Sequence, residues 1–219
     1  MTLIATPALG RRRFVFGALA AATAGTITTP SLLRAQERVA TPASTAGPFY
    51  PTKMPPDVDN DLVVLRGSQA RAEGVVTHIT GRVLGTDGRP LASAQIEIWQ
   101  CDAHGIYLHP GSQGSRPRDS AFQGFGRAIT AADGSYSFRT IKPVPYTGRT
   151  PHIHFGVSAG KTELITQMYV AGEALNARDG LYNSIRDARQ REAVTVRLEP
   201  ANGVESGALA GKFDLVLRV

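Results

Sequence analysis

Residues 78–100 read HITGRVLGTDGRPLASAQIEIWQ and carry the clearest β pattern in the chain. Apolar and polar side chains alternate in both halves of this segment, which is typical of half-buried strands whose side chains point to two faces in turn. The pair Asp87-Gly88, followed by Arg89-Pro90, separates the halves with residues that favour tight turns. The segment therefore predicts two strands with a turn between them.

The same pattern recurs along the rest of the chain. A second turn pair, Asp133-Gly134, lies between two alternating runs, and further runs follow. The six runs are FGRAIT (125–130), SYSFRTI (135–141), HIHFGVS (152–158), ELITQMYV (163–170), AVTVRLE (193–199) and KFDLVLRV (212–219). Seven or eight short strands with turn signals between them favour an all-β fold, an antiparallel β-sandwich. Residues 181–192, LYNSIRDARQRE, are the one stretch that predicts a short helix.

The patterns divide the chain into three regions. Residues 76–219 contain all the predicted strands and form the sandwich domain. Residues 36–75 are rich in Pro, Thr and Asp and predict an extended N-terminal arm with little core of its own. Residues 1–35 have a basic start and an apolar run, and they predict an export signal.

The prediction of an export signal rests on Arg11–Arg13, which precede an apolar run too short to span a bilayer. Consecutive arginines, one further residue and then Phe14 and Val15 resemble a twin-arginine signal, which carries folded proteins across a membrane. We therefore expect an exported protein, periplasmic or extracellular, without stable membrane association after export. The cleavage site is expected near Ala35. An ordinary secretory signal and an uncleaved anchor stay open as alternatives.

The basic net charge does not indicate a nucleic-acid partner. The formal net charge is +6, but four of the 24 basic residues and none of the 18 acidic ones precede residue 36. The rest of the chain has 20 basic and 18 acidic residues, a net charge of +2. No later stretch concentrates Lys and Arg among aromatic residues. Cys101 is the only cysteine, which excludes an intrachain disulfide and a thiolate-rich metal site. A bound metal must therefore have nitrogen and oxygen ligands.

Residues 146–157, YTGRTPHIHFGV, place two imidazoles, a phenol and a guanidinium in one short segment. On a strand, His152 and His154 share one face, while Ile153 and Phe155 point to the other. Such a strand can present a metal site, and it can equally be a half-exposed strand with two surface histidines.

The other three histidines are weaker ligand candidates. His78 stands alone at the start of a predicted strand. His104 and His109 lie in a segment with Gly and Pro, where a loop is the default interpretation. His109 shares a two-residue spacing with Tyr107, but it lacks the apolar opposite face of the 152–154 pair.

The candidate oxygen ligands that could join the histidine pair are Tyr146, which is the nearest in the sequence, and Tyr107. A phenol ionises near pH ~10, so a phenolate at neutral pH requires a strong Lewis acid beside it. Zinc favours His, Cys and carboxylate ligands, whereas a hard trivalent ion gains most from anionic oxygen. Two tyrosines and two histidines would therefore favour ferric iron.

Several motifs resemble the intradiol ring-cleavage dioxygenases, most closely the protocatechuate 3,4-dioxygenase type. These motifs are TPASTAGPFYP (41–51), EIWQCDAHGIYLHP (97–110), FQGFGRAITAADGSYSFRTIKPVPY (122–146), RTPHIHFGV (149–157) and LITQMYVAGEAL (164–175). In this family a Tyr follows the Trp-containing strand, a second Tyr ends the IKP-x-x-Y segment, and an H-I-H pair comes next. The resemblance implies one non-haem Fe(III) per chain, held by Tyr107, Tyr146, His152 and His154.

The resemblance also implies roles for residues around the metal. Tyr146 is the axial ligand that leaves and takes a proton from the substrate. Arg149 stabilises negative charge that develops on the substrate ring. Gln167 is expected near the same pocket, and Leu181 is expected to line it. Tyr50, in the arm, either borders the cavity or packs.

The implied reaction opens a catechol-type ring between its two hydroxylated carbons with dioxygen and gives a cis,cis-muconate. The expected partners are a small aromatic diol and dioxygen, and a homo-oligomer is one alternative for the assembly. One departure concerns the pocket: only Thr147 and Gly148 separate Tyr146 from Arg149, where the family has a longer loop that contains aromatic residues. A more open site for substituted or larger catechols is therefore expected.

A second class of function stays open on the sequence alone. The segments GRVLGTDGRPLASAQIEIW (81–99) and TAADGSYSFRTI (130–141) also resemble transthyretin-like and carboxypeptidase-regulatory-like modules. Such modules often only bind or support, so the alternative is an exported transthyretin-like binding module without catalysis. Its histidine pair would be incidental or would bind metal adventitiously.

Overall fold

A computed structural model of the chain describes residues 38–219, and the export signal predicted for residues 1–35 lies outside the described residues. Within residues 38–219, ten strands form two five-stranded sheets. The strands are β1 (Val76–Gly85), β2 (Gln95–Trp99), β3 (Phe125–Ile129), β4 (Ser135–Ile141), β5 (His152–Ala159), β6 (Thr162–Val170), β7 (Thr195–Val196), β8 (Glu199–Pro200), β9 (Leu209–Lys212) and β10 (Leu215–Leu217). The helical segments are a 3₁₀ helix (Ala174–Arg178), α1 (Gly180–Ser184) and α2 (Ala188–Ala193).

The strands on either side of Asp87-Gly88 lie in different sheets. β1 belongs to the first sheet, where it pairs with β4, β9 and β10. β2 belongs to the second sheet, whose order is β3-β2-β5-β6-β7. β3 and β4, on either side of Asp133-Gly134, are likewise divided between the sheets. The predicted turns therefore mark connections that cross between the two layers and build the sandwich.

The sandwich has mixed pairing, which differs from the purely antiparallel arrangement expected from the sequence. β1 runs parallel to β9 and β10, and β6 runs parallel to β7. Parallel neighbours need a crossover connection rather than a hairpin. Between β6 and β7 this connection is residues 171–194, which contain all the helical segments described. The all-β sandwich itself is confirmed.

The single helix expected at residues 181–192 is two short helices. The Asp187 side chain accepts hydrogen bonds from the backbone N–H groups of Arg189 and Gln190, so it caps a new helix in the middle of the expected one. Within the part of the chain that the structure describes, no helix is long and apolar enough to cross a membrane.

The main core lies between the sheets and is built from the inward faces of the strands. On β5, Ile153, Phe155 and Val157 are buried in this core. His152 and His154, on the opposite face of β5, are also buried, at 1% and 2% exposed. A second apolar cluster on this outer face consists of Trp99, Cys101, Tyr107 and Phe125. Around the two histidines, the outer face of the second sheet is therefore covered rather than solvated.

The arm supplies that cover. It has little regular secondary structure, and it attaches to the second sheet where Ser44 N–H donates to the Ile165 carbonyl at 2.7 Å. Leu62 and Val63 are fully buried, so the arm also adds side chains to the main core.

Candidate metal centre

Four side chains, here called the tetrad, meet on the outer face of the second sheet: Tyr107, Tyr146, His152 and His154. The Tyr107 hydroxyl lies 3.4 Å from His152 Nε2, which lies 3.2 Å from His154 Nε2. The Tyr146 ring packs edge-on against Tyr107, with ring centroids 5.0 Å apart, and lies 5.5 Å from the His152 ring. Three donor atoms thus converge, with a second phenol ring beside them.

The surroundings fix both imidazoles. His152 Nδ1 lies 2.7 Å from the Thr150 carbonyl. Because a carbonyl oxygen can only accept, Nδ1 is the donor and carries the proton, and Nε2 keeps a free lone pair. The His154 ring stacks on Trp99 at 4.9 Å with an interplanar angle of 8°. The backbone of Gly47 closes over His154, since a Cβ there would lie 3.4 Å from His154 Cε1.

Burial disfavours charge on the donor groups. Burial, and then the positive charge of Arg149, lowers the pKa of His152 to about 4. Burial, and then neighbouring His152 and Arg149, lowers the pKa of His154 well below its usual value. Burial also raises the pKa of Tyr107 well above that of a free phenol. Both imidazoles are therefore in the neutral form that binds metals, and a phenolate at Tyr107 requires a cation next to it.

A two-residue turn connects Tyr146 to Arg149. Arg149 N–H donates to the Tyr146 carbonyl at 2.7 Å, and the central residues Thr147 and Gly148 have φ angles of 30° and 76°. Positive φ at both central positions is the signature of a type I′ turn. Nothing lies within 4 Å of a Cβ placed on Gly148, so the turn is open on that side.

Arg149 lies in a buried polar network beside the tetrad. Its Nε donates to Asp179 Oδ2 and its Nη2 to Gln167 Oε1, both at 2.7 Å. Gln167 is buried on β6 opposite His154, and its Nε2 donates to the Thr45 carbonyl at 3.1 Å. Burial alone lowers the pKa of Arg149, but the hydrogen bond and charge of Asp179 outweigh it, so the pKa lies above its usual value. The site therefore contains a fixed cation.

The other two predicted pocket residues are Tyr50 and Leu181. The Tyr50 hydroxyl donates to Glu97 Oε2 at 2.9 Å, and its ring packs edge-on against Trp99 at 5.0 Å. Trp99 in turn stacks on His154, and a place for Tyr50 at the border of the substrate cavity stays a prediction. Leu181 is half-buried on α1, and its place in a substrate pocket stays a prediction.

The remaining histidines have partners outside the tetrad. His78 and His104 place their Nε2 atoms 3.1 and 3.0 Å from the carboxylates of Glu205 and Glu73. Nδ1 of His109 accepts a backbone N–H of its own loop at 3.0 Å.

Two residues to which the sequence did not point complete the site. Phe49 stacks on Tyr107 at 5.2 Å and packs edge-on against Tyr146 at 5.9 Å, so it covers both phenols. The buried carboxylate of Asp102 accepts two backbone N–H groups of its own loop, at 2.8 and 3.0 Å, and so shapes the segment that bears Tyr107. The Asp-x-x-Gly order of residues 102–105 is a turn signal that identifies Asp102, whereas Phe49 has no comparable signal.

The donor set fits one hard metal ion. With a proton on His152 Nδ1, the single proton of neutral His154 can sit on either of its nitrogens. If the proton is on His154 Nε2, the buried His154 Nδ1 has no hydrogen-bond partner. If the proton is on His154 Nδ1, the lone pairs of His152 Nε2 and His154 Nε2 face each other at 3.2 Å. A cation between the Nε2 atoms removes this conflict. Within residues 38–219, no group of three His, Cys, Asp or Glu side chains could hold a metal ion, so a site here requires the phenols.

Comparison with known proteins defines the class. Residues 45–219, more than half of the chain, match the model of a family described as Dioxygenase. Together with the named relatives, this match shows that the chain belongs to the intradiol ring-cleavage dioxygenase family and is an oxygenase.

Particular relatives and structures support this assignment. The protocatechuate 3,4-dioxygenase beta chain of Burkholderia cepacia is 35% identical over 182 residues, which cover 78% of this chain and 76% of the relative. Catechol 1,2-dioxygenase of Acinetobacter baylyi is 31% identical over 204 residues, which cover 81% of this chain and 62% of the relative. One solved structure is the dioxygenase domain of a dioxygenase and carbohydrate-binding protein fusion from Streptomyces sp. SirexAA-E. It superposes with a TM-score of 0.63 at 31% identity and covers 83% of this chain and 99% of the solved chain. The chain thus spans less than two thirds of the Acinetobacter enzyme's length.

Proposed function

We propose that this chain is a non-haem ferric intradiol dioxygenase that opens a catechol-type ring between its hydroxylated carbons with dioxygen, giving a cis,cis-muconate. The observation that carries the proposal is the convergence of three donor atoms at His152 Nε2, which lies 3.4 Å from the Tyr107 hydroxyl and 3.2 Å from His154 Nε2. Tyr146 lies beside them and would complete the ligand set. This is a mixed nitrogen and oxygen donor set, which suits Fe(III).

The metal and the chain divide the chemistry. When bound, one Fe(III) per chain supplies Lewis-acid activation of the diol toward dioxygen. Tyr146 is only half-buried and adjoins the open turn, so as a phenolate ligand of the metal it would be placed to take a proton from the incoming diol and become a neutral phenol. Arg149, held by Asp179 and Gln167, presents a fixed positive charge to the substrate ring. Phe49 and the arm exclude water from the buried ligands.

The shape of the site favours catechols that carry a ring substituent. The two-residue turn leaves the tetrad open next to Tyr146, where a longer loop would close it. A cavity of about 820 Å³ borders Tyr107, and its walls include apolar Met54, Leu65 and Phe122. These features support a pocket that extends beyond the diol.

Iron content and a substrate panel test the proposal. The purified protein should contain about one iron per chain, show the red-brown colour of tyrosinate-to-iron charge transfer, and convert at least one catechol to a muconate with uptake of dioxygen. Catechol, protocatechuate and bulkier ring-substituted catechols make a suitable panel. A colourless protein that binds a catechol without consuming dioxygen would support the transthyretin-like binding module instead.

We also propose that residues 1–35 direct export as a folded protein, which suits a chain that acquires its metal before transport. Replacing Arg11 and Arg12 by Lys in the full chain should retain the protein in the cytoplasm. Arg34→Lys, which keeps the arginine pair, is the matched control. Unchanged export of the Arg11 and Arg12 variant would indicate the ordinary secretory route.

A further inference from the structure

Asp179 is a buried carboxylate next to the site, and neither the tetrad nor the family motifs quoted above include it. It lies between the 3₁₀ helix and α1, and its side chain is 0% exposed. A buried carboxylate destabilises a protein unless hydrogen bonds and a cation compensate it. The partners of Asp179 therefore indicate what the group does.

Both carboxylate oxygens of Asp179 are bound. Oδ1 accepts the N–H of Tyr182 at 2.9 Å and so caps α1. Oδ2 accepts Arg149 Nε at 2.7 Å and the N–H of Thr150 at 3.0 Å. Capping alone needs one oxygen and no burial, since exposed Asp187 caps α2 through Oδ1 alone. The second oxygen of Asp179 therefore has a task other than capping.

That oxygen connects two parts of the site. It holds one edge of the Arg149 guanidinium, while Gln167 holds another, so the cation has a fixed orientation. It also binds Thr150, whose own carbonyl accepts His152 Nδ1 at 2.7 Å and so sets the orientation of that ring. One atom of Asp179 thus supports both the cation and a metal-ligand candidate.

We propose that Asp179 is a positioning residue that holds the Arg149 guanidinium beside the tetrad and, through Thr150, holds the ring of His152. This inference rests on the proposed function, because these two orientations matter only in a ring-cleaving enzyme. The Arg149–Asp179 pair is mostly out of solvent, with side chains 20% and 0% exposed, so it is not a screened surface pair. Burial raises the pKa of Asp179, but the bonds from Arg149, Tyr182 and Thr150 outweigh burial and keep its pKa below the usual value.

Asp179→Asn in the full, iron-loaded chain tests the proposal, because the amide keeps the shape of the carboxylate and loses its charge. Asp187→Asn is the matched control, since it alters the same residue type at a cap that touches neither Arg149 nor the tetrad. We expect Asp179→Asn to lower kcat about 10–100-fold and to weaken iron binding, measured by competition with a chelator, on the order of 10-fold. Asp187→Asn should leave both quantities unchanged.

A double-mutant cycle separates positioning from a general loss of stability. If Asp179 acts through Arg149, Asp179→Asn should lower kcat much less in the Arg149→Ala background than in the wild type. Additive effects on kcat, or a wild-type kcat and iron affinity for Asp179→Asn, would overturn the proposal.

Two further outcomes are distinguishable. A wild-type protein that cleaves no catechol overturns the proposed function and this inference together, whereas an active wild type with an unimpaired Asp179→Asn variant overturns this inference alone. If Asp179→Asn fails to fold, Asp179→Glu takes its place, because it keeps the charge and displaces it by one methylene group. A lowered kcat in that variant supports the proposal, and a wild-type kcat overturns it.

Discussion

At the scale of single residues, burial makes each atom of the tetrad difficult to replace. Tyr107, His152 and His154 are each at most 2% exposed, so solvent cannot enter freely to replace a lost donor atom. Tyr146 differs, because it is half-buried beside an open turn. The four residues should therefore respond differently to substitution.

The first prediction concerns the three buried members. Tyr107→Phe, His152→Ala and His154→Ala should each lose iron or lower turnover by more than about 100-fold. Mutation of a residue that only supports a metal ligand typically costs about 10–100-fold, and each of these substitutions removes a proposed ligand itself. His109→Ala is the control, because His109 lies outside the tetrad and its Nδ1 accepts a hydrogen bond from its own loop. Iron content and catechol turnover are measured together. An inactive, colourless His109→Ala protein beside a normal His152→Ala protein would reverse the ligand assignment.

The second prediction separates Tyr146 from Arg149. Tyr146→Phe should keep iron through the three buried ligands, but it lacks the oxygen that takes a proton from the diol, so substrate should bind slowly. Arg149→Ala should bind substrate normally and react slowly with dioxygen, because its charge acts on negative charge that develops later. Anaerobic mixing with a catechol in stopped flow, followed by dioxygen, resolves the two steps. Normal binding by Tyr146→Phe and failed binding by Arg149→Ala would show that the roles are reversed.

At the scale of elements, the site depends on how closely two loops approach. The loop after β2 carries Tyr107, and the segment before the type I′ turn carries Tyr146. Gly105 lies at their contact with a φ of 79°, and a Cβ there would meet the Pro145 carbonyl at 3.3 Å and Tyr146 Cβ at 3.4 Å. A glycine at this position therefore sets the spacing between the two phenols.

The third prediction uses two glycines with the same backbone conformation. Gly105→Ala and Gly67→Ala place a side chain at φ angles of 79° and 78°, so each should lose about 1–2 kcal/mol of unfolding free energy. Nothing lies within 4 Å of a Cβ at Gly67, so only Gly105→Ala should also displace Tyr146 and lower turnover. Urea unfolding and kcat distinguish the two effects. Equal turnover for both variants would contradict the role assigned to Gly105.

The elements also show which features the sequence could predict. The alternation in β5 predicts that His152 and His154 share a face, because that rule is local. Nothing local predicts that this face is buried, since the cover comes from an arm without periodic pattern, attached through contacts such as Ser44 to Ile165. Asp179 was missed for the same reason: Asp-Gly before a helix indicates a cap, but its bond to Arg149 joins residues 30 apart.

At the scale of the whole molecule, one ion network joins distant parts of the chain. Arg139 on β4 donates two hydrogen bonds to the Glu205 carboxylate, both at 2.8 Å, and a third to Asp61 in the arm at 2.9 Å. Glu205 also lies 3.1 Å from both His78 on β1 and Arg71 in the arm. Glu205, in the segment before β9, therefore connects the arm to the first sheet.

The last prediction is a pH dependence of stability. The hydrogen bonds from Arg139 lower the pKa of Glu205 from about 4.5 to about 2, so its stabilisation is complete above pH 4.5 and is lost as the pH falls toward 2. Glu205→Gln should therefore lower the unfolding free energy by about 1–3 kcal/mol at pH 7, and this difference should shrink at pH 3. The control is Glu199→Gln, whose carboxylate is 64% exposed and 3.7 Å from Arg197, and it should stay within about 0.5 kcal/mol of the wild type. Urea unfolding at both pH values measures the difference, and an equal loss at pH 7 and pH 3 would exclude ionised Glu205 as its source.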